Sequence, residues 1–350
     1  MCSWRSPPPS CGCGALPAPS VAEGRRTMPR GARVLVSLAV LLVAACGPAP
    51  PEVVVYTSVD PVYAAPVLSR FEAETGIRVR AVYDTEAAKS AGLAQRLMLE
   101  RGRPVADVFW SSEQMQVLRL ARAGVLAPYE SPAAAGIPAR FRDPARRWTG
   151  FGLRFRLFVC QDGRCPEAPT MDHLARRMRP ACVLANPRFG TTATHLAALL
   201  LTEGEAALRD RLAAWRRAGL RLVPGNAHAV REVASGRASC TIADVDDVKA
   251  AERRGQRVAG RHHDQDGRGT FAVFHTVAVV AGAPHPREAR ALVDHLVSPA
   301  VERTLVALGA VSASVRERPD PGGIRWWTTA RPGLAQAYER LLGILADFGI

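Results

Sequence analysis

The segment Cys240-Thr241-Ile242-Ala243-Asp244-Val245-Asp246-Asp247 joins an apolar stretch to a cluster of three aspartates. Its first half is apolar and β-branched, which is typical of a buried strand, and residues 248–254 follow a helical pattern. The carboxylates of Asp244, Asp246 and Asp247 therefore fall in a strand-to-helix turn. In open α/β sheets, ligands bind at this edge. The alternative is that Asp244 or Asp246 only caps the following helix, since Asp is a favoured N-cap residue.

Upstream of this segment, a strand followed by a helix occurs three times in succession. The predicted elements are a strand at 53–56, a helix from Pro61 to Thr75, a strand at 77–83, a helix from Asp84 to before Gly102, a strand at 105–110 and a helix from Ser111 to Gly124. Consecutive β-α units predict a parallel sheet with right-handed crossover connections.

The α/β pattern begins again after residue 148, which predicts a second lobe. Two long β-type segments, Trp148–Cys160 and Phe271–Val280, are interpreted as the chain crossing from one lobe to the other and back. We therefore expect lobe 1 to comprise residues 52–150 plus about 276–310, and lobe 2 to comprise residues 151–275 plus about 311–350. The predicted fold class is α/β, a two-lobe clamshell with a hinge of two crossing segments.

Polar and acidic side chains follow several of the predicted strands. They are Ser58 and Asp60 after the first strand, Tyr83 after the second, Glu113 after the third, and Asp244, Asp246 and Asp247 in the second lobe. Each acid alone fits a helix cap. Together they predict a cleft lined with carboxylates, which suits a hard cation or an ammonium group.

A second pattern has the opposite charge preference. In residues 186–195, a strand is followed by Gly190 and then by the hydroxyl residues Thr191 and Thr192 at the start of a helix. Free N–H groups and the helix dipole make such a start suitable for an anion. The alternative, an ordinary Thr cap with His195 on the helix surface, stays open. A cleft with both patterns would bind a metal with an anion, or a zwitterion.

The N-terminal 45 residues have the features of an export signal. A basic stretch at 28–33 precedes an apolar run at 34–45 that is too short to span a membrane. The run ends in Ala44-Ala45-Cys46, which resembles the lipobox of bacterial lipoproteins. We expect residues 1–45 to be a signal peptide or misassigned leader, Cys46 to be lipidated, and residues 46–51 to form a tether that anchors the protein at the outer face of the membrane or in the periplasm.

The remaining cysteines and the charge suggest an exported protein without a nucleic-acid partner. Cys160 and Cys165 flank a turn-like loop that a local disulfide could close, whereas Cys182 and Cys240 fit buried small apolar residues, and the sequence leaves their pairing open. The formal net charge is +14. Because the arginines are spread along the helices among acids and no nucleic-acid motif is present, we interpret this excess as solvated surface.

The sequence contains no recognisable catalytic motif, and we predict that the protein is not an enzyme. Nucleophile-elbow, zinc-protease, phosphate-loop and dinucleotide-binding patterns are missing from the chain. A secreted metal-dependent hydrolase is the alternative from another class, and it would require a base or nucleophile that the sequence does not identify. We expect no catalytic residue and no catalytic cofactor.

Several segments resemble one family of transport proteins. They are Val53–Asp60, Phe71–Ile77, Ala106–Trp110 with Glu113, Ala123–Pro128 and the region from Ala283 to Pro299. They are similar to the ferric-iron-binding subgroup of solute-binding proteins of ABC importers. The resemblance covers nearly all of residues 52–315. It implies a type II-like periplasmic-binding-protein fold, an ABC permease and its ATPase as partners, a monomer, and Fe(III) as a transported ligand.

The resemblance also implies a set of ligands. Carried over to this sequence, the metal residues are Asp60, Glu113 and Asp246, and the segment 191–193 holds a synergistic anion. The family's tyrosine pair is replaced here by Val245 and Asp246. A phosphonate or organophosphate zwitterion, or an organic cation, therefore stays open as an alternative to ferric iron.

Overall fold

A computed structural model describes residues 50–84, 91–316, 323–331 and 333–350. The predicted signal peptide, the lipidation site at Cys46 and the start of the helix predicted from Asp84 lie outside the described residues. Residues 50–350 form one compact unit. Among the described residues, no helix is both long enough and apolar enough to cross a membrane.

Eleven strands are present among the described residues. In chain order they are β1 (Glu52–Thr57), β2 (Arg78–Tyr83), β3 (Val108–Ser111), β4 (Leu126–Ala127), β5 (Thr149–Gln161), β6 (Val183–Ala185), β7 (Arg221–Val223), β8 (Cys240–Asp244), β9 (Val258–Arg261), β10 (Thr270–Val280) and β11 (Trp326–Trp327).

The helices lie between these strands and after them. They are α1 (Pro61–Thr75), α2 (Ala91–Leu99), α3 (Met115–Arg122), α4 (Gly190–Glu203), α5 (Glu205–Ala218), α6 (Asn226–Ala234), α7 (Val245–Arg253), α8 (Pro286–Leu296), α9 (Pro299–Ala307) and α10 (Gly333–Asp347). Short 3-10 helices occur at 100–102, 132–134, 139–141 and 171–175.

The main sheet runs in the order β2-β1-β3-β10-β5-β8, and β6 pairs with β7 in a second sheet. The predicted parallel pairing of the first three strands is confirmed, since β1 is parallel to both β2 and β3. The two long crossing strands are also confirmed. β5 and β10 pair antiparallel with each other; β10 also pairs with β3, and β5 also pairs with β8. These two strands therefore connect the α/β regions on either side of them.

Two buried hydrophobic clusters pack against the sheets. The larger one includes β1, β3 and the apolar face of α1, and the smaller one includes the apolar residues of α4 and α10. Both pairs of late cysteines form disulfides, Cys160 with Cys165 and Cys182 with Cys240. The sequence left the pairing of Cys182 and Cys240 open. Both are buried, as expected, and they are joined because the starts of β6 and β8 lie side by side.

Candidate functional site

The site is built around two arginines of the crossing strand β5. Arg154 and Arg156 lie two residues apart, so their side chains leave the same face of the strand. Both are buried, with 5% and 1% of their surface exposed. Arg156 stands directly opposite Asp244 in the antiparallel pairing of β5 with β8. The sheet register thus places guanidinium groups against the carboxylates that end β8.

Asp244 is the centre of a network of short polar contacts. Its Oδ1 accepts a hydrogen bond from Nη1 of Arg156 at 3.1 Å, and its Oδ2 accepts one from Nη2 of Arg154 at 2.5 Å. The Thr191 hydroxyl donates to the same Oδ2 at 2.7 Å, and the Asn226 amide donates to it at 3.1 Å. Nη1 of Arg154 also donates to Oδ2 of Asp246 at 3.3 Å. The acidic cluster is thus partly neutralised from within the protein.

The start of helix α4 joins this network through its hydroxyl groups. Gly190 has a φ of +59°, a left-handed conformation that favours glycine, and the helix begins at this turn. Arg156 donates hydrogen bonds to the hydroxyls of Thr191 and Thr192, the latter at 2.9 Å. The two threonines therefore face the arginines. The predicted alternative of an ordinary Thr cap is wrong, because Phe189 holds the N-cap position and no side chain caps this helix.

The electrostatics of the two arginines differ. Burial lowers the pKa of Arg154, but the opposing attraction of Asp246, Asp244 and more distant carboxylates raises it overall. For Arg156, burial and the neighbouring Arg154 outweigh Asp244, and its pKa is lowered. Arg154 therefore lies where the negative potential is concentrated, and the carboxylates hold it there.

A small cavity of about 40 Å³ opens onto this network. Its lining includes Arg154, Thr191, Thr192 and the aspartates Asp244, Asp246 and Asp247. The other lining residues are Ser112, Ala185, Asn186, Phe189, Gly190, Pro224, Gly225 and Asn226. The enclosed part of this cavity has room for a small ion or a few water molecules, and a larger anion would extend into the open side of the cavity. Oxygen atoms of Asp244, Asp246 and Asp247 lie within 4.8 Å of one another, close enough to share a cation.

The cavity therefore combines groups for two kinds of charge. Carboxylate oxygens are suitable ligands for a hard cation. Arg154 also lines the cavity, and its buried Nε–H has no hydrogen-bond partner among the described residues. An unpaired buried guanidinium N–H is a strong donor for an anionic oxygen. The arrangement suits a ligand that presents both a cation and an anion.

Ser58 acts on the cavity through a neighbour. Its buried hydroxyl accepts a hydrogen bond from the backbone N–H of Ser112 at 2.9 Å and contacts the Ser112 hydroxyl at 3.2 Å. Ser112 itself lines the cavity. Ser58 is therefore connected to the cavity through Ser112.

Glu113 is placed differently from the prediction. It is fully buried, and its carboxylate accepts hydrogen bonds from the backbone N–H groups of Met115 and Gln116 at the start of α3, and from the Thr194 hydroxyl at 2.7 Å. It is not among the described residues that line the cavity. Both of its oxygens are thus engaged by groups of the protein, and burial raises its pKa.

Asp60 and Tyr83 also lie outside the lining formed by the described residues. Asp60 occupies the N-cap position of α1, where its carboxylate is close enough to help raise the pKa of Arg154. Tyr83 is half-buried at the end of β2, and burial raises its pKa. The structure therefore gathers the second-lobe residues at one cavity and leaves the predicted first-lobe acids beside it.

A tyrosine that the sequence analysis passed over does reach the second-lobe acids. The hydroxyl of Tyr63, on α1, donates to the backbone carbonyl of Asp246 at 3.2 Å and accepts a hydrogen bond from Arg253 at 2.6 Å. Arg253 also donates to the backbone carbonyl of Leu308 at 2.9 Å. Together with the contact between Thr194 and Glu113, this fastens α4 and α7 to the region of α1 and α3.

Three buried residues depart from the sequence analysis. Arg154 and Arg156 are exceptions to the interpretation of the basic excess as solvated surface, and His195 departs from the open alternative that placed it on a helix surface. All three are buried. His195 stacks on Phe271 with ring centroids 4.4 Å apart, and burial lowers its pKa well below the usual value. Two arginines at alternating positions in an apolar strand, opposite a carboxylate-rich strand end, are the sequence signal that could have identified the network.

The sequence is similar to a family of bacterial solute-binding proteins and to a protein of iron uptake. The sequence model of the family described as "Bacterial extracellular solute-binding protein" matches residues 52–310. The chain is 26% identical over 247 residues to iron uptake protein A1 of Synechocystis, a match that spans 66% of each protein.

Solved structures show the same two-lobe fold. The iron- and citrate-bound FutA of Trichodesmium superposes with a TM-score of 0.69 at 20% identity, covering 85% of this chain and 99% of that one. AfuA of Actinobacillus pleuropneumoniae, with fructose-6-phosphate bound, superposes with a TM-score of 0.71 at 17% identity, covering 85% and 98%. At these identities the likeness establishes the fold alone, and it confirms the predicted clamshell class.

Proposed function

The chain belongs to the family of bacterial extracellular solute-binding proteins, and from that membership we propose that it captures ferric iron together with an anion for an ABC importer. Its partners are the membrane permease and the ATPase of that importer. The observation that carries the proposal is a cavity lined by three clustered carboxylates, the buried Arg154 and the threonines of α4, with Arg156 hydrogen-bonded to Asp244 and to those threonines.

The charges explain why the ligand has two parts. A trivalent cation bound by Asp246 and Asp247 would lie beside Arg154, and at such distances like charges repel unless an anion lies between them. The unpaired Nε–H of Arg154 and the N-terminus of α4 supply the donors for that anion. Asp246 and Asp247 are thus assigned to the iron, and Arg154, Thr191 and Thr192 to the anion.

Relatives and fold support iron as the cation. The similar proteins include an iron uptake protein and a structure that holds iron with citrate. Citrate is an anion of the kind that this cavity would accept next to the metal. We assign Glu113 to fastening the two lobes rather than to the metal, because Thr194 and the α3 backbone already occupy its oxygens.

We further propose that binding is coupled to closure of lobe 1, residues 52–150 plus about 276–310, on lobe 2, residues 151–275 plus about 311–350. The protein acts as a monomer, and lipidation at Cys46 holds it at the membrane. It binds without catalysis, so the cargo is recovered chemically unchanged. Turnover of a candidate ligand at about one per second or faster would instead support the hydrolase alternative.

The test is to identify what the protein carries. Protein purified without chelators is analysed by native mass spectrometry and by metal analysis, alongside the Asp246→Asn and Thr192→Val variants. We expect a bound mass that accounts for one iron plus an anion in the wild type, and a lower iron content in Asp246→Asn. A bound mass without iron, together with iron titrations that show no binding, would contradict the proposal.

A second candidate is a phosphorylated organic compound. The observation that favours it is the arginine and threonine half of the site, since Arg and helix N-termini are the usual phosphate donors, and a sugar phosphate is bound in one protein of this fold. In that case Asp246 and Asp247 would hold hydroxyl or ammonium groups. Thr192→Val would then lose affinity for the whole ligand, and added iron would have no effect.

A further inference from the structure

A second recess lies away from the cavity and shares no lining residue with it. It has a volume of about 630 Å³, within the range of roughly 300–1,000 Å³ that is typical of small-molecule sites. Its walls are the C-terminal half of α3, the segment 139–148, the segment 328–331 and Gln336 of α10. We refer to it as the arginine groove.

The floor of the arginine groove is apolar. It includes Trp148, which is only 4% exposed and packs on Phe274, together with Leu118, Ala121 and Ala330. One wall is fixed in place by Gln114, whose side-chain amide donates to the backbone carbonyl of Thr329 at 3.0 Å. An apolar floor with a fixed wall provides a surface on which an aromatic or branched aliphatic group can lie.

The rim of the groove is cationic. The charged residues in its lining are Arg122, Arg140, Arg142, Arg147, Arg331 and a single acid, Asp143. That acid is already used, because it accepts a hydrogen bond from Nε of Arg147 at 2.6 Å. Among the described residues, Arg122 and Arg142 have only long, exposed ion pairs, at 3.9 Å to Glu339 and 4.0 Å to Glu130.

Arg140 and Arg331 are the two rim cations that are available to a ligand. Both are exposed, and neither has a carboxylate within 4.0 Å among the described residues. Arg140 instead lies over the rings of Phe141 and Trp326, at 5.0 and 5.7 Å from the ring centres. Such stacking leaves the edge N–H groups of a guanidinium free to donate hydrogen bonds.

We propose that the arginine groove is a second ligand site, which binds a small organic anion with an aromatic or branched aliphatic body. The apolar part lies on Trp148 and Leu118, and the carboxylate or other anionic head pairs with Arg140 and Arg331. Charge complementarity determines the class of ligand, because the rim is positive and its one acid is occupied. This site is independent of the cargo site, so it stands whether or not the cargo is iron.

The probe for this site is 2-naphthoate, and 2-naphthylmethanol is its uncharged match. Both are titrated into the full-length protein by calorimetry, with tryptophan fluorescence as a second readout. We expect saturable binding of one 2-naphthoate and at least tenfold weaker binding of the alcohol. Thr192→Val in the cargo cavity should leave this binding unchanged, which separates the two sites.

Matched variants locate the binding. The double variant Arg140→Ala/Arg331→Ala should weaken 2-naphthoate binding at least tenfold. The control is Arg164→Ala/Arg257→Ala, which removes two exposed arginines from a different recess of about 530 Å³ and should bind as the wild type does. Equal affinity for acid and alcohol, an equal loss in both double variants, or no saturable binding to the wild type would each overturn the proposal.

Discussion

Glu113 and Asp244 are both buried carboxylates that follow a strand, and they have different surroundings. Glu113, between β3 and α3, accepts hydrogen bonds from two backbone N–H groups and a hydroxyl. Asp244, at the end of β8, accepts hydrogen bonds from two guanidinium groups. Burial without a bonded cation raises the pKa of Glu113. The cationic partners of Asp244 instead form a polar network that borders the cavity. The hydrogen-bond partners of a buried acid, more than its position after a strand, therefore determine whether it can take part in a ligand site.

The largest effect on stability and binding should come from removing one of the two arginines that contact Asp244. Arg156→Met leaves Asp244 with one guanidinium fewer and removes the donor to both threonines. Breaking a buried ion pair from one side costs about 3–5 kcal/mol. We expect the free energy of unfolding in urea to fall by this amount and ligand binding to be lost.

Arg164→Met is the matched control, because Arg164 is exposed, and it should change stability by no more than about 0.5 kcal/mol. Similar losses for the two variants would mean that Arg156 contributes no more than a surface arginine.

The next largest effect is on iron affinity and is expected at Asp246, which we assign with Asp247 to the cation. Asp246→Asn removes one negative charge from the cluster of three and keeps the shape of the side chain. Loss of a charged interaction costs roughly 1.5–3 kcal/mol, or about tenfold or more in affinity. Titration calorimetry with ferric citrate measures it, and Asp266→Asn, on the turn before β10, is the control. If Asp246→Asn binds as tightly as the control, this aspartate does not hold the iron.

A smaller effect is expected at the anion half. Thr192→Val removes one hydroxyl that accepts a hydrogen bond from Arg156. We expect the dependence of iron binding on added citrate or phosphate to shift to higher anion concentrations, with a loss of about 0.5–1.5 kcal/mol at a fixed anion concentration. Iron titrations at several anion concentrations provide the measurement. An anion dependence that is unchanged from the wild type would remove Thr192 from the site.

The smallest effect should be a pH dependence of the stability that Glu113 contributes. The pKa of Glu113 is raised above its ordinary value of 4.5. A raised acid pKa contributes stability that is fully present below that ordinary value and is lost as the pH rises through the folded-state pKa. The stability of the wild type relative to Glu113→Gln should therefore fall as the pH is raised from about 4.5 towards 7. Urea unfolding of both proteins across this range tests it, and a constant difference would contradict it.

The sequence predicted the fold well because the apolar periodicity of the strands and the turn residues agree locally. The helix α1 has the predicted bounds, Pro61 to Thr75, and Gly76 follows it in a left-handed conformation. The clustering of Asp244, Asp246 and Asp247 was also predicted. The arginine pair was missed because its role depends on pairing of β5 with β8, strands that are far apart in the sequence. Glu113 was assigned to the metal because sequence alone does not show that Thr194 comes within 2.7 Å of it.

The most direct test of the central claim is whether iron and anion bind together through Arg154. Equilibrium dialysis with radiolabelled iron and radiolabelled citrate measures both stoichiometries in the wild type and in Arg154→Gln. We predict one iron and one citrate per wild-type protein, with each label retained only when the other is present, and loss of both labels from Arg154→Gln. Retention of iron without citrate, at equal affinity in the wild type and in Arg154→Gln, would contradict the account.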